Sequence, residues 1–188
     1  MKNFKTITIA LLVAVSTIAS AQVKKVDASK STITWIGKKV AGQHNGTVAL
    51  KEGSLVFKGN TLTGGNFTVD MTTLTGTDIT GDYLAKLNGH LKSEDFFGTE
   101  KHPTSKLVFK KIASKGKGVY TVTADLTVKE VTAPVTFDIT VKENNATTTF
   151  KIDRTKYDIK FHSKSLIETL KDQVIDDEFE LTVSLKFT

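Results

Sequence analysis

Alternation between apolar and polar residues is the dominant pattern in the chain after residue 22. Between Tyr120 and Val128 every second residue is apolar, and the residues between them are Thr or Asp. The same period of two runs through residues 137–142, 150–153, 157–161 and 179–187, and in shorter form through 32–35 and 67–71. This period is typical of β-strands that have one buried face and one solvated face. The pattern therefore predicts an all-β chain of about eight to ten strands.

Residues that tolerate tight turns separate the alternating segments at hairpin spacing. The predicted turns are Asn45-Gly46, Glu52-Gly53, Gly64-Gly65, Gly116-Lys117-Gly118 and Asn144-Asn145. Such short links favour antiparallel neighbours, because a parallel crossover requires a dozen or more residues.

Two segments break the alternation and predict short helices. Leu84, Leu87 and Leu91 fall on one helical face, and Ser165 and Glu168 match a capping box at the start of a second helix. Two short helices cannot cover eight strands. The apolar strand faces must therefore pack against each other, in a sandwich or in a closed barrel. The alternation leaves open whether such a barrel is filled or hollow.

The first 21 residues have the features of an export signal. Lys2 and Lys5 precede an apolar run from Ile7 to Ala19, and Ala19-Ser20-Ala21 has the small-x-small form of a cleavage site. The run is shorter than the roughly 20 residues that a spanning helix requires. We expect a signal peptide over residues 1–21 and one domain over 22–188, exported to a periplasm or secreted after cleavage near Ala21.

The amino-acid composition limits which kinds of functional site the chain can form. The chain has no Cys, which excludes disulfides and thiolate metal sites, and its net charge is +6. The basic residues are lysines spread along the chain, with Arg154 as the one arginine. Nucleic-acid readers cluster their basic residues, so we expect no nucleic-acid partner. A weak attraction to anionic membrane surfaces stays open, as does a homodimer, because the sequence does not reveal the oligomeric state.

Enzyme motifs for nucleophilic elbows, metalloprotease helices, phosphate loops and dinucleotide binding are all absent from the sequence. None of the four histidines, His44, His90, His102 and His162, is spaced to share a helix turn or strand face with another. Glu94-Asp95 and Asp176-Asp177-Glu178 are more typical of a solvated rim than of an acid–base pair. We expect no catalysis, no metal and no cofactor.

Several segments resemble the YceI-like family of exported lipid-binding proteins. They are Trp35-Ile36-Gly37, residues 64–71, residues 90–97 followed by His102-Pro103, residues 124–132 and residues 153–159. Their order and spacing extend the resemblance over nearly the whole predicted domain. The resemblance implies a lipocalin-like closed antiparallel barrel of about eight strands, hollow, holding a long-chain isoprenoid or similar amphiphilic lipid without catalysis.

The resemblance and the strand phase together suggest the residues of the lining. Trp35, Phe67, Val69 and Met71 are expected to line the tunnel, and Leu84, Leu87, Leu91, Phe96 and Phe97 to cover or shape it. Strand phase adds Phe109, Leu126, Val128, Phe137, Ile139 and Ile159. Arg154 is the candidate for gripping a polar head group; the alternative is an ion pair with a neighbour such as Asp153 or Asp158.

Two other functions stay open from the residues themselves. One is an enzyme acting on a small apolar substrate inside the barrel, which requires an acid–base pair pointing inward. The other is a structural β domain with a filled core.

Overall fold

A computed structural model describes residues 20–165 and 174–188. Within these ranges the chain forms nine β-strands, one α-helix and two short 3-10 turns. The elements in order are β1 Ala21–Lys25, a 3-10 turn Ala28–Lys30, β2 Thr32–Lys39, β3 Gly42–Lys58, β4 Thr61–Gly76, α1 Gly81–Lys92, β5 Thr104–Gly116, β6 Val119–Val128, β7 Val131–Lys142, β8 Asn145–Asp153, a 3-10 turn Arg154–Tyr157, and β9 Ile175–Lys186.

Eight of the strands, β2 to β9, close into an antiparallel barrel. The strand order is β3-β2-β9-β8-β7-β6-β5-β4, and β4 pairs back onto β3. The long strand β3 pairs along one edge with β2 near its start and with β1 near its end. The predicted all-β closed barrel of about eight strands is confirmed.

The helix predicted around Leu84 is confirmed as α1. The helix predicted to begin at Ser165 runs into residues 166–173, which lie outside the described residues. The predicted leader, residues 1–21, also lies outside them apart from Ser20 and Ala21.

The two ends of the barrel differ. At the closed end, where β2, β4, β6 and β8 begin, apolar side chains fill the interior. The rings of Phe57 and Phe187 lie 5.7 Å apart, and the hydroxyl of Tyr120 accepts a hydrogen bond from the Leu62 amide at 3.4 Å. At the helix end, where β3, β5, β7 and β9 begin, α1 and the loop after it lie against the strands.

Three of the predicted turns are wrong, because their glycines lie inside β3 and β4 and not between strands. These are Asn45-Gly46, Glu52-Gly53 and Gly64-Gly65. Gly46 lies directly opposite Trp35, and Gly53 lies directly opposite Phe67. A methyl group at either glycine would overlap the facing ring, which is also true of Gly65 and the Phe109 ring. These glycines therefore give bulky rings room against the barrel wall.

The chain turns instead where the pattern gave weaker signals. Val40-Ala41 joins β2 to β3, Gly59-Asn60 joins β3 to β4, and Lys129-Glu130 joins β6 to β7. Lys129 takes a φ of 55° there, in the left-handed region. The turn at Lys117-Gly118 is as predicted, and the turn predicted at Asn144-Asn145 begins one residue earlier, at Glu143.

The strand predicted over residues 157–161 is also wrong. The side chain of Asp153 accepts hydrogen bonds from the amide and hydroxyl of Thr155, at 3.0 and 2.6 Å, and so starts the 3-10 turn Arg154–Tyr157. Asp158 then adopts a φ of 60°, which bends the chain away from the sheet direction. Local capping by an aspartate has overridden the alternating pattern.

Strands β7 and β8 form a ladder only next to their hairpin, where Thr140–Lys142 pair with Asn145–Thr147. Beyond it, the hydroxyl of Thr148 donates to the Asp138 carbonyl at 2.6 Å. The rings of Phe137 and Phe150 stack there with centroids 4.4 Å apart. Pro134, which has no amide hydrogen, is tolerated in β7 because that strand forms no ladder with β8 at this level.

We expect Gly46→Ala to lower the free energy of unfolding by about 2–3 kcal/mol, because the new methyl would lie 2.6 Å from the Trp35 ring and would meet the Thr75 carbonyl. The matched control is Gly89→Ala in α1, where no atom lies within 4 Å of the added methyl. That change is expected to stabilise by about 0.5–1 kcal/mol. Denaturant unfolding of both variants measures the contrast; equal effects would contradict this account of the inward glycines.

Candidate functional site

An apolar cavity of about 180 Å³ occupies the barrel between the filled closed end and the helix end. Inward-facing side chains of every barrel strand line it, since alternation puts every second residue on the inner face. The apolar ones from the strands are Ile33, Trp35, Val48, Leu50, Phe67, Val69, Met71, Leu74, Leu107, Phe109, Leu126, Val128, Phe137, Ile139, Phe150, Ile152, Ile175, Phe179, Leu181, Val183 and Leu185.

Most residues predicted to line the tunnel lie on this wall. They are Trp35, Phe67, Val69, Met71, Phe109, Leu126, Val128, Phe137 and Ile139 from the strands, and Leu91, Phe96 and Phe97 from α1 and the loop after it. The prediction missed the contributions of β3, β8 and β9. The alternation in residues 150–153 and 179–187 already carried the signal for β8 and β9.

Three predicted lining residues lie elsewhere. Leu84 and Leu87 of α1 pack against Gly76 on β4, where the missing side chain lets the helix approach the strand closely. Ile159 is buried, but it lies in the packing beneath the helix end. Ile159 follows the 3-10 turn and belongs to no strand. It was expected to face inward only because residues 157–161 were predicted to form a strand.

Aromatic rings cover the cavity at the helix end. His90 meets Phe96 and Phe161 edge to face, with centroids 4.8 and 4.5 Å apart. Phe97 contacts Phe179 of β9 in the same manner at 6.2 Å. These edge-to-face contacts join α1 and its loop to the far side of the barrel.

Arg154 lies beneath this cover and is 3% exposed. Its guanidinium donates to the carbonyl oxygens of Asp176 at 3.1 Å, Ile159 at 2.9 Å and Ile175 at 3.0 Å. It lies 3.7 Å from the Asp177 carboxylate and forms no ion pair with Asp153 or Asp158. Burial lowers the pKa of Arg154, against the opposing effect of nearby carboxylates. The geometry favours a structural role for Arg154, because its hydrogen bonds fasten the chain after β8 to the start of β9.

Asp177 completes this junction. It accepts hydrogen bonds from the Ser163 hydroxyl at 2.5 Å and from the amides of Lys164 and Ser165 at 3.1 Å each. Burial alone would raise the pKa of Asp177. The hydrogen bonds from the two serines and the charge of Arg154 outweigh it, so the pKa lies below its ordinary value.

Two buried polar atoms have no hydrogen-bond partner within the described ranges, the indole nitrogen of Trp35 and the hydroxyl of Tyr157. Both atoms are enclosed by protein. Burial, with a smaller effect of Asp153, raises the pKa of Tyr157 to about 12. In the same part of the chain, no three His, Asp or Glu side chains come together as metal ligands would. His44 pairs with Asp78 at 2.9 Å.

Comparison with known proteins identifies the fold family. The model of the YceI-like domain matches residues 25–187. The chain belongs to the YceI-like family. Within residues 20–165 and 174–188, no helix has both the length and the apolar character needed to cross a membrane.

Curated relatives match over a short segment. UPF0312 proteins of Shewanella denitrificans and Photorhabdus laumondii are each 43% identical to this chain over 51 residues. That segment is 27% of this chain and covers 27% and 26% of the two relatives, so the chain spans about a quarter of their length.

Solved structures of the same fold match over most of the chain. BcnA of Burkholderia cenocepacia superposes with a TM-score of 0.62 at 21% identity, covering 85% of this chain and 98% of that one. A polyisoprenoid-binding domain of Saccharophagus degradans gives 0.59 at 13%, covering 87% and 97%. The YceI protein of Campylobacter jejuni gives 0.55 at 13%, covering 100% and 99%. At these identities the similarity shows a shared YceI-like fold.

We expect Asp177→Asn to lower the free energy of unfolding at neutral pH by about 2 kcal/mol, because it weakens a partly buried network of hydrogen bonds and charge. The pKa of Asp177 in the folded protein lies below the ordinary 3.8. Its stabilisation is therefore present above pH 3.8 and is lost as the pH falls toward the folded value.

Urea unfolding between pH 7 and pH 3 checks this expectation. The acid-induced loss of stability should be smaller in Asp177→Asn than in the wild-type protein. Glu178→Gln is the neighbouring control, since Glu178 pairs only with the exposed Lys151 at 3.1 Å. Identical pH profiles for the wild type and Asp177→Asn would refute the assignment.

Proposed function

We propose that the protein binds a long-chain isoprenoid or similar amphiphilic lipid in the barrel and sequesters or carries it without altering it chemically. The observation that carries this proposal is the apolar cavity, which inward side chains of all eight barrel strands line. The polyisoprenoid-binding domain of Saccharophagus degradans, which has the same fold, supports the lipid class.

The hydrophobic effect supplies the affinity. Each methylene group moved from water into the cavity contributes about 0.8 kcal/mol, so ten buried carbons provide about 8 kcal/mol. That corresponds to a micromolar Kd before the costs of immobilising the chain. Aromatic rings over glycines, such as Trp35 on Gly46, lie against the wall and keep the lumen open for such a chain.

Binding without catalysis fits the character of the wall. Arg154 and Asp176 are the only ionisable side chains among the described lining residues, and Arg154 is held by three carbonyl oxygens. This arrangement gives little support to an enzyme that acts inside the barrel. The cavity itself counts against a structural domain with a filled core.

The proposal also includes export of the protein from the cytoplasm. The features of residues 1–21 support their removal near Ala21 and a periplasmic or extracellular location for the domain over 22–188. In such an aqueous compartment an apolar lipid is poorly soluble, and a barrel that encloses its tail would keep the tail out of water. No nucleic acid is expected as a partner.

Transient contact with a membrane surface is the second part of the proposal. At the helix end Val40 is 65% exposed and Tyr83 is 76% exposed. Lys39 and Lys86 line a small surface pocket together with Tyr83. Exposed apolar side chains beside lysines suit an anionic lipid surface, which attracts each lysine by about 1 kcal/mol.

We expect Val69→Trp to weaken binding of an apolar fluorescent probe at least about tenfold, because the larger inward side chain occupies the cavity. The matched control is Val108→Trp on the neighbouring strand, whose side chain points outward and is 42% exposed. Fluorescence titration with displacement by a polyprenol measures both variants. Unchanged probe binding in Val69→Trp, with the fold intact by circular dichroism, would exclude the barrel interior as the site.

The double variant Val40→Ser, Tyr83→Ser is expected to lower binding to vesicles that contain an anionic phospholipid by about tenfold, because two exposed apolar side chains are lost. Val23→Ser is the control; Val23 is 66% exposed, but it lies near the closed end on β1. Vesicle co-sedimentation gives the comparison. An equal loss in the control, or no binding by the wild type, would reject the helix end as a docking surface.

A further inference from the structure

The polar side chains on the cavity wall differ in whether other protein groups already form hydrogen bonds with them. Among the described lining residues four side chains are polar: Ser105, Thr148, Arg154 and Asp176. Thr148 donates to the Asp138 carbonyl at 2.6 Å, and Arg154 donates to three carbonyl oxygens. The Asp176 side chain is 42% exposed and so reaches solvent, and its carboxylate lies 3.9 Å from the Lys164 ammonium group.

Ser105 is the exception. It is 6% exposed and lines the cavity. In the part of the chain that the structure describes, its hydroxyl has no hydrogen-bond partner. Unlike the indole nitrogen of Trp35, which protein atoms enclose, this hydroxyl is not sealed into the wall. The hydroxyl is open to the cavity, and a ligand that fills the cavity without offering it a partner would leave it unsatisfied, which is unfavourable.

The position of Ser105 along the barrel indicates how a ligand bound to it would be oriented. Ser105 is the second residue of β5, opposite Val69 of β4, and therefore lies toward the helix end. Further along β5 the inward residues are Leu107 and Phe109, and beyond them the closed end is filled. A ligand whose polar atoms lie at Ser105 would therefore extend its apolar tail toward Phe109.

We propose that the ligand carries a neutral hydrogen-bonding oxygen, of an alcohol or a carbonyl, and that the Ser105 hydroxyl binds this oxygen inside the barrel while the tail extends toward the closed end. This inference rests on the proposed function and specifies the ligand class: an oxygen-bearing amphiphile is favoured over a plain hydrocarbon of equal length. It also makes Ser105, and not Arg154, the residue that contacts the ligand's polar group, because the Arg154 guanidinium already donates to three carbonyl oxygens.

The test compares two ligands in two proteins. The ligands are the isoprenoid alcohol farnesol and the hydrocarbon that has hydrogen in place of its hydroxyl group. Competitive displacement of an apolar fluorescent probe gives a Kd for each. Relative to wild type, Ser105→Ala should raise the Kd of the alcohol about 3- to 10-fold, the usual effect of one hydrogen bond. The Kd of the hydrocarbon should stay unchanged or fall.

Thr148→Val is the control, because it removes a lining hydroxyl that the Asp138 carbonyl already engages. It should leave the ratio of the two Kd values unchanged. If Ser105→Ala leaves that ratio unchanged too, or shifts both ligands equally, the proposal is wrong while lipid binding in the barrel stands. If neither ligand binds the wild-type protein, the proposed function itself fails.

Discussion

Closure of the ladder between β3 and β4 is the constraint on which the rest of the structure depends. β3 pairs with β4 from Gly46 to Lys58 and with β2 along its other edge, so the sheet returns on itself. Closure gives every barrel strand a neighbour on both sides, although β7 and β8 pair only next to their hairpin, and it turns the apolar strand faces toward one interior. An eight-stranded barrel is just wide enough for side chains to fill or for one small ligand to enter. Local packing therefore decides which half is solid and which is hollow.

Glycines and aromatic rings decide that packing. At the closed end Phe57, Phe187 and Tyr120 pack around the axis and fill the barrel. Nearer the helix end, the Trp35 ring lies opposite Gly46 and the Phe67 ring lies opposite Gly53. Each ring occupies the space that a side chain on the facing glycine would fill. Rings placed against the wall in this way leave the centre free. The cavity thus follows from a few cross-strand glycine–aromatic pairs on an otherwise ordinary barrel.

A feature of this structure can be predicted from the sequence when the residues that determine it are close together in the chain. Alternation is local, so it predicted the strands around Val122 and Leu181 and the all-β class, whereas closure into a barrel was implied by the family resemblance. Gly46 and Gly53 were taken for turns because their role depends on the facing strand, which periodicity does not reveal. The segment after Asp153 alternates like a strand, yet one aspartate cap bends it. The partners of Arg154 lie 5 to 22 positions away in the sequence and become visible only once β9 is in place.

Native mass spectrometry of the freshly purified protein tests the central claim most directly, since it reports cargo and stoichiometry together. The account predicts that each chain carries one organic-extractable apolar molecule, or takes up one molecule of added polyprenol. A protein that stays at its bare polypeptide mass in the presence of excess polyprenol would contradict the claim that this barrel holds a lipid.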